Sequence, residues 1–193
     1  MNYVLILFVA LAAYFDVRQR RIPNKITFPI MIVGLVIYGF LEGLPGIAFG
    51  FTGLLSGLFV FFIPFALGGM GAGDVKMTAA VGALMGMQFV LHSAIFTIFA
   101  GGIMAIGYLI AHKRLLSGLK NVVGMIARPL LAMLAIRFRN PLINRFSVYF
   151  TPSPVEKKEE AIYLPYGVAI AAGAVLTLSG FGYQLLPVVE TLF

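Results

Sequence analysis

The sequence predicts an all-α integral membrane protein of about six transmembrane helices, with an amphipathic helix on the cytoplasmic face. Three observations predict it. Hydrophobic residues make up 61% of the 193 and charged residues 11%, against roughly a quarter charged in ordinary soluble domains. The mean hydropathy of +1.00 points the same way. The apolar residues fall in runs of membrane length, and the basic residues sort to one side of them.

The first run, residues 2–15, has no Lys or Arg before it, which argues against a cleaved signal peptide. Positive charge follows as Arg18, Arg20, Arg21 and Lys25, placing the N-terminus outside and this first loop in the cytoplasm. A span of about 20 residues from residue 2 ends past residue 20, so Asp16 lies inside it. Pro23 is expected to end the segment. The second span runs from about Ile26 to Leu41, with Glu42, Pro45 and Gly46 as the external turn. The third covers about Ile47 to Leu67, and its glycines at four-residue spacing (Gly46 and Gly50, Gly53 and Gly57) suit close helix packing in lipid.

A glycine-rich turn, residues 68–73, then leads into Asp74 and a fourth span reaching about Phe89. A short external turn precedes the fifth span, about Ser93 to Ile110, which His112, Lys113 and Arg114 stop. His92 and His112 are expected at opposite membrane interfaces, about 30 Å apart at helical rise, too far to share a metal. Leu115 to Ile136 is apolar, yet Lys120, Asn121, Gly124 and Arg128 share one helical face and Pro129 interrupts the run. That pattern reads as a helix lying in the membrane surface, followed by a polar linker to residue 160. The last span covers about Ile162 to Gly180.

Charge supports this count. The first loop holds four basic residues, the turn before the fourth span holds Lys76, and 112–160 holds nine, accounting for all fourteen on one side. A spanning 115–136 would send five of them outside. The net charge of +7 therefore means topology and contact with the anionic inner leaflet, not nucleic acid. The absence of cysteine excludes disulfides, thiolate catalysis and cysteine metal sites.

The chain has two aspartates, Asp16 and Asp74, and this topology brings both to the cytoplasmic edge. Ionisable residues in spans are costly and usually functional. Taken alone, Asp74 after glycines makes an ordinary helix N-cap. Asp16 sits toward a helix C-terminus, where the dipole disfavours negative charge, although Arg20 one turn on could pair with it. Together they fit an aspartic-protease arrangement, because two close carboxylates in a low-dielectric site share one proton. The ionised one activates water and the protonated one polarises a peptide carbonyl; which does which is not readable from sequence. No H-E-x-x-H, G-x-S-x-G or G-x-x-x-x-G-K-[ST] occurs, so zinc-protease, serine-hydrolase and P-loop chemistry have no motif.

Gly71-Ala72-Gly73-Asp74 matches the G-x-G-D motif of intramembrane aspartyl proteases. Asp16-Val17-Arg18 with Ile22-Pro23-Asn24 resembles the first-aspartate motif of type IV prepilin peptidases. Val75-Lys76 through Gly86 fits the same family, and Pro165-Tyr166-Gly167-Val168-Ala169-Ile170 resembles its last span. The resemblance covers nearly all of the chain except 112–160. It implies a single membrane peptidase domain over 1–193, with 112–160 as a basic cytoplasmic loop. The implied activity removes the basic leader from pilin-like precursors at the cytoplasmic face. By that resemblance Asp16 and Asp74 are the catalytic pair, needing no metal or other cofactor. Gly71 and Gly73 let the backbone approach substrate or a partner helix, and Lys76 tunes the pair, anchors the loop or is a plain interfacial lysine.

Larger relatives carry an N-terminal region with paired cysteines and methylate the new N-terminus. This chain starts at its first span and lacks cysteine, so methyl transfer is not expected, and it looks more like the short peptidases of tight-adherence pili or archaeal preflagellins. A presenilin- or signal-peptide-peptidase-type protease is a rival, but those relatives are larger and cut inside helices. A proton or cation transporter is another. Transport sites favour the midplane and internal repeats, whereas here the midplane of every span is uncharged.

Overall fold

The computed structural model describes residues 1–113, Val123 and residues 164–180. Among these the protein is all-helical, with no strand. In chain order come α1 (Asn2–Gln19), α2 (Asn24–Glu42), α3 (Leu44–Val60), the short α4 (Phe62–Ala66), α5 (Ala72–Ala111) and α6 (Tyr166–Leu178). α1, α2 and α5 are long and apolar enough to cross a membrane, while α3 and α6 are apolar but shorter. The surface helix and linker expected over 115–160 lie outside the described residues, Val123 excepted. The chain divides into two compact units, Met1–Met104 with Leu164–Phe193, and Ala105–Tyr163. In the second, Tyr108 stacks on His112 with ring centroids 4.0 Å apart.

Boundaries differ from the sequence expectation for local reasons. α1 stops at Arg20, which adopts the left-handed conformation and donates its N–H to the Asp16 carbonyl at 2.9 Å; Pro23 instead precedes α2. Pro45 and Gly46 are not a turn. Proline is tolerated in a first helical turn, where its missing N–H has no partner to lose, so both residues belong to α3 and Gly43 alone separates it from α2. The third apolar run is broken at Phe61, with α4 a separate turn and a half.

The fourth and fifth expected spans are two helical stretches that meet at a break within Ala72–Ala111. The break falls at Gly86 (φ 81°, ψ 175°), a conformation open to glycine alone, and not near residue 90 as expected. The chain folds back there: Val90 lies against Gly82, and Val75 and Ala94 share one apolar cluster with Phe61. Tyr38 Oη donates to the Leu84 carbonyl at 3.0 Å, satisfying an acceptor just before the break. The arm before the break, Ala72 to Met85, is about 21 Å long at helical rise. Its centre is almost wholly buried, from Met77 to Leu84.

Glycines explain how that arm is seated. Gly46, Gly50, Gly53 and Gly57 form the buried face of α3. A Cβ on Gly53 would strike the backbone of Gly82, and one on Gly57 the backbone of Thr78. From α2, a Cβ on Gly34 would lie 2.5 Å from the Ala83 oxygen. Without a hydrophobic driving force between helices in lipid, such backbone-to-backbone approach supplies the packing energy. The arm that begins at Asp74 is thereby fixed by α2 and α3.

Candidate active site

Asp16 and Asp74 are both buried, at 2% and 7% exposure, on α1 and α5. They lie close enough for the charge of Asp16 to act on Asp74. Each also accepts a backbone N–H. For Asp74 the donor is Gly71, at 3.1 Å to Oδ2. For Asp16 it is Gly167, at 2.7 Å to Oδ2.

Asp74 is not the N-cap that the sequence suggested. It is the third residue of α5, and its side chain reaches back to the N–H just outside the helix, as the acid of a capping box does. Its backbone N–H returns to the Gly71 carbonyl at 3.1 Å. Gly71 thus shapes the loop around Asp74, and a Cβ there would lie 3.2 Å from Asp74 Oδ2. Gly73 serves a different neighbour: a Cβ would meet Ile22 at 3.3–3.5 Å. Ile22, buried in the loop after α1, packs on the start of α5 and ties the Asp16 loop to the Asp74 loop.

Lys76 is at the rim. Its Nζ donates to Asn24 Oδ1 at 3.0 Å and lies 5.8 Å from the centre of the Phe28 ring, linking the first turns of α5 and α2. It is an anchor between elements. In the sequence Asn24 stands out only as part of Ile22-Pro23-Asn24, and nothing there pairs it with Lys76.

His92 is fully buried among the helices, with Nδ1 2.9 Å from the Gln88 carbonyl oxygen. It sits among Ser93 and Thr97 on the stretch that faces Gly173 of α6. Among the described residues no cluster of three His, Cys, Asp or Glu could hold a metal ion.

Residues 3–106, which include both aspartates, match the model of the type IV leader peptidase family. The chain belongs to this family. A relative described as a prepilin leader peptidase/N-methyltransferase, from Xanthomonas campestris pv. campestris, is 29% identical over 119 residues. That alignment covers 58% of this chain and 41% of the relative, so the chain matches less than half of that protein's length. No solved structure matches the chain. Gly167 lies beyond the region matched by the family model, and the sequence marked it only as part of a resemblance. Its bond to a carboxylate 151 residues away has no local signature.

Proposed function

We propose that the chain is an intramembrane aspartyl endopeptidase that removes the basic leader of type IV pilin-like precursors at the cytoplasmic membrane face, with Asp16 and Asp74 as the catalytic pair. The observation that carries this reading is the convergence of the chain's two aspartates, buried and within each other's electrostatic reach, in a member of a leader peptidase family. Burying one carboxylate without a purpose costs stability, and burying two together costs more.

In the proposed reaction the ionised carboxylate takes a proton from a water held between the pair. The resulting nucleophile attacks the scissile carbonyl, while the protonated carboxyl donates to its oxygen. Collapse of the tetrahedral species passes a proton to the leaving amine and frees the two peptides. Gly71 and Gly73 keep the loop low beside the pair, and Lys76 with Asn24 braces it. In this reading six spans put both aspartates at the cytoplasmic edge, where a leader ending at the start of an apolar helix presents its junction. The basic rim of Arg18, Arg20, Arg21 and Lys25 meets the anionic leaflet. The proposal covers leader removal alone.

The test is incubation of the reconstituted chain with a panel of intact pilin-like and flagellin-like precursors, mapping each new N-terminus by mass spectrometry. One cut between basic leader and apolar helix is expected. Cuts within the apolar helix, or none in any precursor, would overturn the reading.

A further inference from the structure

The first turn of α6 approaches the site from a part of the chain that the leader-peptidase match does not reach. Pro165 precedes the helix, and Tyr166 and Gly167 open it. N–H groups of a first helical turn have no partner within the helix and carry the positive end of its dipole, so they suit a carboxylate. Gly167 uses its N–H in this way, donating to Asp16 Oδ2 at 2.7 Å in a buried setting. The position also has no room for a side chain. A Cβ on Gly167 would lie 2.8 Å from Asp16 Oδ2, 2.9 Å from its Cβ and 3.1 Å from its Cγ. The adjacent Tyr166 is within reach of the Asp74 charge, and its ring lies where a Cβ on Gly101 would be 3.2 Å away.

We propose that Gly167 is a positioning residue of the peptidase site, pinning the Asp16 carboxylate through its N–H and admitting that contact through its missing side chain. The inference rests on the reading of Asp16 and Asp74 as the catalytic pair. A carboxylate on a C-terminal turn of α1 can swing about its side-chain torsions. A short bond from a helix on the other side of the sequence limits that freedom, and misplacement by about 1 Å costs catalysis on the order of a hundredfold.

The presence of just two aspartates makes the test clean. Labelling aspartate with carbon-13 at the side-chain carboxyl gives two signals, assigned by Asp16→Asn and Asp74→Asn. Glycolic acid in place of Gly167, introduced into the full chain by ligating a synthetic C-terminal segment, turns the amide into an ester: the N–H is lost and no side chain is added. The expected result is a shifted Asp16 signal and a kcat lowered about a hundredfold at unchanged KM. Gly173→Ala is the packing control. Its Cβ would lie 2.6 Å from the Ser93 oxygen, so it should lower thermal stability while leaving the Asp16 signal and the kcat of the folded fraction in place. An ester variant with an unmoved Asp16 signal overturns the contact. One with a shifted signal and wild-type kcat overturns the positioning role. A wild-type chain that cuts no precursor overturns the peptidase reading itself, and with it Gly167's place in catalysis, whatever the carboxyl signals show.

Discussion

Asp16 and Asp74 are held in opposite ways. Asp74 is fixed locally, by an N–H three residues back and by a helix arm whose glycine-lined seat is built from α2 and α3. Asp16 takes a bond from afar, from an N–H 151 residues on in sequence. A local anchor forms with its own helix turn. A distant one exists only when α1 and α6 are docked. The site thus pairs a carboxylate that its own loop organises with one that the completed fold organises.

The largest effects should come from unseating the arm that carries Asp74. Gly57→Leu places a side chain into the Thr78 backbone, which cannot yield as a flexible side chain can. We expect at least about 3 kcal/mol of destabilisation and little folded protein, read by thermal denaturation in detergent. Ile22→Ala attacks the link between the two loops. Loss of a buried isoleucine should cost about 2–4 kcal/mol and lower cleavage per folded molecule, because Ile22 is what Gly73 packs on. Comparable stability to wild type would show that the loops are held separately.

Smaller effects sharpen the contrast. Tyr38→Phe leaves the Leu84 carbonyl without its hydroxyl donor and should cost about 1–2 kcal/mol. Because that contact lies at the far end of the arm from Asp74, cleavage per folded molecule should stay within twofold. Lys76→Met removes an exposed tie to Asn24. It should change stability by less than about 1 kcal/mol and slow cleavage by about threefold, equivalent to about 0.7 kcal/mol. A loss of a hundredfold or more would move Lys76 from the rim into the reaction.

The same contrast explains what the sequence could show. The all-helical membrane fold was legible because length and hydropathy decide it. The Asp74 loop was legible because Gly71, Gly73 and Asp74 are neighbours. The packing role of the α3 glycines followed from their four-residue spacing. Gly86 was not recognised as the point of reversal, since in a run of small residues a packing glycine and a glycine with positive φ look alike. His92 and Ser93 were expected at the external turn because their polarity is visible in sequence and their burial is not. The Gly167 bond was invisible for a stronger reason: it depends on two helices meeting, and no local pattern encodes that meeting.

The most direct measurement of the central claim is leader removal by wild type, Asp16→Asn and Asp74→Asn, with equal amounts of folded protein confirmed for each. Asparagine keeps the shape of aspartate and cannot share the proton. Both variants should be slower by at least about a thousandfold, on the order expected for loss of a general acid or base. Wild-type cleavage by either one would contradict the pair, leaving the locally held Asp74 as a helix-capping residue or the distantly held Asp16 as a structural anchor.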